Sequence, residues 1–231
     1  ETVRKPISFR CRIYRDRPQI CYNLATRILH HIYLGEYRKE SFLPSYQTMA
    51  DKYRVSLSTI RRTIRLLNEI GAVHSINGKG THILSFDEQG HEPNFDNPAI
   101  RRNLAYFINA FEILKFSIEG ISRITLPVIS PSIRNDLIKQ LESHLQSHSS
   151  QLASNELLVF ISTYSPLPEL REVYEKLYRL MLWGVPLLRH RREESGIEEI
   201  TIQFTKQMIA SLKKEDFNGC AKLLGDLYAQ Q

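Results

Sequence analysis

Residues 43–84, LPSYQTMADKYRVSLSTIRRTIRLLNEIGAVHSINGKGTHIL, read as two short helices joined by a tight turn and followed by a two-stranded hairpin, the order of a winged helix-turn-helix. Ser45 is placed as the N-cap of a helix over residues 46–53, where Met49, Ala50 and Tyr53 recur at helical spacing and face inward. Val55 fills the turn. Ser56 or Ser58 caps the next helix, whose Ile60, Ile64 and Leu67 form a buried stripe that leaves Ser58, Arg61 and Arg65 on another face, flanked by Arg62. Gly71 ends that helix by taking a left-handed position that a side chain resists. Residues 73–76 and 81–84 read as short strands around Asn77-Gly78-Lys79-Gly80, so the hairpin tip carries a lysine.

A helix that buries one stripe and offers arginines from the other suits a polyanion whose grooves are one helix wide. Phosphates reward cations and helix N-termini, and base edges in the major groove reward hydrogen-bonding side chains. Arg61, Arg62, Arg65 and Lys79 meet that demand. Three arginines on an isolated helix more often form only a solvated face. Here a polar N-terminal turn, an arginine ladder and a glycine-lysine hairpin occur together and in order, and their agreement makes double-stranded DNA the leading partner.

The same residues resemble the GntR family of bacterial transcription regulators. The family pattern runs over residues 22–83: a first helix with Leu24, Ile28 and Ile32, then Gly35-Glu36-Tyr37, Leu43-Pro44-Ser45, Met49-Ala50, Val55-Ser56, Thr59-Ile60-Arg61, Leu66-Leu67, Gly71 and Gly78-Lys79-Gly80-Thr81. The resemblance implies that the second helix of the motif, residues 58–67, enters the major groove while the wing at 77–79 touches the minor groove or backbone. It implies that Ser56, Ser58, Thr59 and Arg61 meet phosphates or bases and that Gly78 and Lys79 make wing contacts. Together the two readings give Ser45, Gln47, Ser56, Leu57, Ser58, Thr59, Arg61, Arg62, Arg65, Asn77, Gly78 and Lys79 as the expected DNA-contacting residues. Leu57 stands where many members place a base-reading arginine, and Gln47 where an arginine is frequent. A bidentate arginine on guanine discriminates by roughly 1–3 kcal/mol, so the operator is expected to differ from those of the best-known members.

Charge divides the chain in the same way. Residues 1–90 hold fifteen Lys or Arg against eight Asp or Glu, a balance of +7, whereas residues 91–231 hold sixteen against seventeen, a balance of −1. Such asymmetry is expected when one part meets a polyanion and the other does something else. No run of about 18 apolar residues is present to span a bilayer and no signal peptide is evident, so the expectation is a cytoplasmic protein without a membrane partner. Cys11, Cys21 and Cys220 are odd in number and lack paired metal spacing, which fits reduced thiols.

Four segments follow: a basic arm or strand over 1–21, the winged helix over 22–84, a linker over 85–98 and a second domain over 99–231. The linker strings Asp87, Gly90, Pro93, Asn94, Asn97 and Pro98 between periodic regions. Everything after it reads helical, which makes the fold class mainly α: a winged helix followed by an all-α bundle. Residues 99–121 carry Leu104, Phe107, Ile108, Phe111, Leu114, Ile118 and Ile121 as a buried stripe; further helices are expected over 132–150, 152–164, 169–189, 197–213 and 215–229. This bundle resembles the effector-binding and dimerisation domain of the FadR-type branch, the FCD domain. Phe160, the 165–170 step and the turn at Lys214-Glu215-Asp216-Phe217 carry that resemblance. Many FCD domains bind a metal through an aspartate and three histidines; the matching positions here are Leu157, Ile161, Thr205 and Leu227. None is a metal ligand, so neither metal nor other cofactor is expected, and a more apolar effector pocket, or a lost one, is favoured. A homodimer on a two-fold operator is expected, because one short recognition helix reads too few bases to select an address alone; a small molecule is the expected effector, and a repressor or an activator both stay open.

Other features weigh less. His144 and His148 share one helix face at i, i+4, but without a third ligand a solvated or pocket-lining pair outweighs a metal site. Neither His30-His31 nor Arg189-His190-Arg191-Arg192 indicates catalysis; the latter suits a helix end, where cations offset the C-terminal dipole. With no nucleophile elbow, phosphate loop or metalloprotease helix, an enzyme is not expected. Ile7, Phe9, Cys11 and Ile13 alternate with Ser8, Arg10, Arg12 and Tyr14 as in a strand, while six Lys or Arg in the first 17 residues suit a basic arm, and both readings stay open. The chain starts with Glu1 rather than methionine, which fits processing or a longer parent chain. The competing reading is a winged module that binds protein rather than DNA, since a fold alone never proves a function.

Overall fold

The computed structural model describes residues 20–33, 37, 41–84, 92–147, 152–186 and 197–230. The arm or strand expected over 1–21 lies outside them apart from Ile20 and Cys21, as do Cys11, Gly35, Glu36, residues 85–91 of the linker, His148 and the basic run 189–192.

Helix α1 (Ile20–Tyr33) buries Cys21, Leu24, Ala25, Ile28 and Leu29 along one side, the i, i+3, i+4 spacing that turns apolar residues into a stripe. It packs on α3 (Leu57–Glu69), whose Ile60, Ile64 and Leu67 are buried as their spacing predicts. Between them in sequence lies α2 (Tyr46–Tyr53), contributing Met49 and Ala50 to the same core. Gly71, at φ 81°, lets the chain leave α3 into the hairpin β1 (Val73–Ile76) and β2 (Gly80–Ile83). The register Val73↔Ile83, His74↔His82, Ser75↔Thr81 and Ile76↔Gly80 brings Gly80 into the second strand, one residue earlier than expected. Residues 41–43 add a third, short line of pairing: Leu43 donates to the Thr81 carbonyl at 2.8 Å and Ile83 to the Ser41 carbonyl at 2.8 Å.

All described residues after 97 are helix or the turns between helices. Helix α4 (Pro98–Thr125) begins one residue inside the expected linker, because Asn97 caps it by accepting from the Ala99 N–H and Pro98 suits the first helical position. A short 3-10 turn (Leu126–Val128) leads to α5 (Pro131–Gln146), α6 (Ala153–Tyr164) and α7 (Pro168–Met181), and the chain closes with α8 (Ile197–Lys213) and α9 (Phe217–Gln230). The two last helices are separated at Glu215, left-handed at φ 58°. Helix α4 is the axis of this bundle, packing chiefly on α9 and α7.

Two expectations are corrected. Ile108, assigned to the buried stripe of α4, is 58% exposed; the buried line runs through Ile100, Leu104, Ala110, Leu114, Ile118 and Ile121 instead. Helix 169–189 ends at Met181, where Leu182, Trp183 and Gly184 form a turn. The physical reason is at Gly184: a Cβ there would sit 2.3 Å from the Phe107 ring, so only glycine lets the chain pass that close. The turn puts Trp183, fully buried, against α1, where its Nε1–H donates to Thr26 Oγ1 at 3.0 Å. One turn further along α1, His30 Nδ1 lies 2.9 Å from the Tyr178 hydroxyl. Bundle and winged helix therefore meet across one face of α1.

No described helix is long and apolar enough to cross a membrane. Cys21 and Cys220 are buried free thiols, and burial pushes Cys220 up to about 12, which keeps it protonated and unreactive at neutral pH.

The corrected register of α4 is testable by paired truncations. Leu114→Ala, at a fully buried site, should cost about 2–5 kcal/mol in chemical denaturation. Ile108→Ala should stay within about 0.5 kcal/mol of the parent chain. Equal losses would place Ile108 back in the core.

Candidate nucleic-acid interface

The helix-turn-helix presents its hydroxyls before its arginines. Ser56, extended at φ −69° and ψ 154°, caps α3 by accepting from the Thr59 N–H at 3.2 Å. Its Oγ also lies 2.8 Å from Ser58 Oγ and 2.9 Å from Thr59 Oγ1, so three hydroxyls gather where the helix leaves its first N–H groups unpaired. That end carries a partial positive charge and donors suited to an anion. Ser45 caps α2 in the same way, accepting from Thr48 N–H at 3.1 Å. Of the two candidate caps for α3, Ser56 holds the place and Ser58 is the first turn's second residue.

Along α3, Arg61 and Arg62 are exposed with no ion-pair partner among the described residues. Arg65 is different. Its Nε lies 3.9 Å from Glu69 Oε1, and Glu69 in turn accepts from Asn97 Nδ2 at 2.5 Å, so this arginine is tethered to the cap of α4. Gln47 is exposed but engaged, donating to Asp51 Oδ1 at 3.0 Å. Leu57 at the helix start is 39% exposed, an apolar side chain offered to solvent where a polar one costs nothing.

At the wing, Asn77, Gly78 and Lys79 form the exposed tip. Gly78 takes φ 75° with open space around it, a backbone shape that side chains resist even without a clash. Lys79 N–H closes the turn on the Ile76 carbonyl at 3.1 Å and its ammonium has no ion-pair partner among the described residues. The buried Thr63 secures the platform: its hydroxyl donates to the Thr59 carbonyl at 2.9 Å and lies 3.4 Å from the Cys21 carbonyl of α1.

Arg54 was not among the expected contacts. It is exposed, holds the left-handed conformation at φ 53° and closes α2 by donating from its N–H to the Ala50 and Asp51 carbonyls. Sequence offers little signal for it, because the left-handed position is ordinarily read from Gly or Asn. In the bundle, Leu157, Ile161, Thr205 and Leu227 are all buried; Thr205 donates to the Thr201 carbonyl at 2.7 Å. His144 is buried, with Nε2 3.6 Å from Glu156 Oε2, rather than solvated. No group of three or more His, Cys, Asp or Glu among the described residues is arranged to hold a metal ion.

The family model described as bacterial regulatory proteins, gntR family, matches residues 22–83, and this segment is a GntR-family helix-turn-helix domain. Among curated proteins nothing matches the chain. Solved structures similar to it include Streptococcus agalactiae GntR (16% identity, 90% of this chain and 97% of that one, TM-score 0.40). E. coli McbR/YncC is 16% identical over 92% of this chain and 95% of its own, with a TM-score of 0.42. A structure described as a putative transcriptional regulator GntR from Rhodococcus sp. RHA1 is 12% identical over 91% and 96%, with a TM-score of 0.43.

The cap of α3 gives the nearest test. Ser56→Ala removes the hydroxyl that accepts from Thr59 and should lower stability by about 1 kcal/mol in urea titration. Ser58→Ala, which caps nothing, should cost much less; equal losses would move the cap to Ser58.

Proposed function

We propose that this protein is a DNA-binding transcription regulator that reads a two-fold operator as a homodimer and answers to a small molecule. The observation that carries the reading is the conjunction on one GntR-family domain of a hydroxyl-rich N-terminus of α3 with exposed Arg61, Arg62 and wing-tip Lys79, none of which has an ion-pair partner among the described residues. Phosphates meet the first, base edges or phosphates the second, and the backbone the third. In this reading Ser45, Gln47, Ser56, Leu57, Ser58, Thr59, Arg61, Arg62, Arg65, Asn77, Gly78 and Lys79 form the contact set. Arg65 must exchange Glu69 for DNA before it contributes fully. The division at residues 22–84 and 99–231, and the placing of the bundle in the FadR-like branch as an FCD-type domain, belong to the same proposal.

The dimer has support in α4. Ile108, Ile113, Phe116 and Ile124 are all exposed, Phe116 at 84%, and a Cβ on Gly120 between them would meet nothing within 4 Å. These positions fall on one side of the helix, and an apolar side chain opposite a glycine is self-complementary about a two-fold axis. The bundle is close to neutral, so pairing it avoids the repulsion that two basic winged domains would feel.

Two measurements test these statements. Arg61→Ala and Lys79→Ala should each weaken operator affinity in gel-shift titrations while leaving the melting curve within about 0.5 kcal/mol of the parent. Binding should also fall steeply with salt through counterion release. Unchanged affinity for both variants would remove the groove and wing contacts and leave the protein-binding module as the better reading. Separately, Phe116→Asp should convert the dimer to monomer in light scattering and abolish two-fold footprints; a dimer that survives it is paired elsewhere.

A further inference from the structure

Between α1 of the winged helix and α6 and α7 of the bundle lies an open cleft of about 1010 Å³. From α1 it is lined by Asn23, Thr26 and Arg27; from the bundle by Ser162, Thr163 and Arg171. His30, His31 and Tyr178 stand at the same junction, with Glu172, Glu175 and Arg179 also on the wall. The two glutamates are already neutralised on their own helix. Lys176 Nζ lies 2.6 Å from Glu172 Oε1 and Arg179 Nη2 lies 2.5 Å from Glu175 Oε1.

Arg27 and Arg171 are the exceptions. Each is exposed, each faces the cleft from a different unit, and neither has a carboxylate within ion-pair distance among the described residues. Arg27 rests its guanidinium 5.2 Å from the centre of the Tyr53 ring, a contact that orients the fork without neutralising it. The amide of Asn23 supplies a further donor, whereas the hydroxyls of Thr26, Ser162 and Thr163 already donate to the Tyr22 and Val159 carbonyls and leave the guanidinium groups to hold the ligand. Small-molecule sites favour such junctions between units, with a few convergent polar groups.

We propose that this cleft binds a small anion bearing carboxylate or phosphate groups, held between Arg27 and Arg171. Guanidinium forks match both groups bidentately, and a ligand gripped from both sides fixes α1 against α7. Thr26, on the cleft wall, also accepts the Trp183 indole N–H, so occupancy is felt at the joint itself. The effect on operator binding rests on the DNA-binding reading above; the site does not.

The chain has a single tryptophan, Trp183, and its emission reports the joint. The full chain is titrated with citrate and, separately, with inorganic phosphate at constant ionic strength, without DNA. A saturable change with at least one anion is expected, weakened about tenfold or more in Arg27→Gln and in Arg171→Gln, the scale of one lost charge-assisted contact. Arg61→Ala should keep the response, which separates the cleft from anions gathering on α3. The arm that saturates tells carboxylate from phosphate. No saturable change with either anion, or a change that survives both glutamine variants, overturns the proposal. Gel shifts with and without the active anion then read its consequence; if the chain fails to bind DNA while the fluorescence response holds, the regulator reading fails and the anion site stands.

Discussion

Helix α1 is held from two sides. Leu24, Ala25, Ile28 and Leu29 are buried with α3 in the winged-helix core, while Thr26 and His30, one turn apart on the other face, hydrogen-bond to Trp183 and Tyr178 of the bundle. Tyr22, a turn before Thr26, continues that face, with its ring 6.3 Å from Trp183 and Arg102 5.8 Å above it. A residue spacing of four sets all three contacts on one line. Because one helix serves both cores, any tilt of α1 demanded by the bundle is a tilt of the platform under α3. Burial pushes the Tyr178 phenol above its usual range, so the phenol keeps its proton at physiological pH.

A second tie lies at the far end of α3. Glu69 is approached by Arg65 on one oxygen and accepts from Asn97 on the other, while its carbonyl accepts from the Asn94 N–H at 2.8 Å. Asn97 is also the cap of α4. The C-terminal end of α3 and the N-terminal end of α4, the bundle's axial helix, therefore share one carboxylate. An exposed ion pair such as Arg65–Glu69 is worth little by itself. Its importance lies in the sharing: Arg65 can leave one oxygen of Glu69 while the other stays bonded to Asn97.

The winged helix was legible because its signals are local. Ser45, Ser56 and Gly71 mark ends, and Met49, Ile60, Ile64 and Leu67 mark a face, each within a turn or two of the others. The helices of the bundle were legible for the same reason. What escaped was set by partners distant in sequence. Phe107 decides whether the chain can pass at Gly184, and Gly184-Val185-Pro186 carried a stop signal that the apolar run around it concealed. Ile108 has the same chemistry as its buried neighbours, and only the direction from which α7 and α9 approach α4 leaves it outside. The pairing of residues 41–43 with β2 and the exposed, left-handed Arg54 likewise have no local signature.

The positions where the resembled bundle would hold a metal are instead Leu157, Ile161, Thr205 and Leu227, all buried, three of them aliphatic and the fourth hydrogen-bonded to its own helix. Introducing a charged effector there would strip it of water with no partner to compensate, a cost far larger than one apolar contact returns. A chain built this way favours either an apolar ligand inside the bundle or a polar one at its edge. The edge at α1 has the polar groups, and it also has the geometry to matter. A ligand acts on an equilibrium only through its different affinity for the two states, and a site made half from each unit loses half its contacts whenever they separate. In the proposed reading an anion at the junction acts on α1 directly, because there the binding energy and the movement it opposes would fall on the same helix.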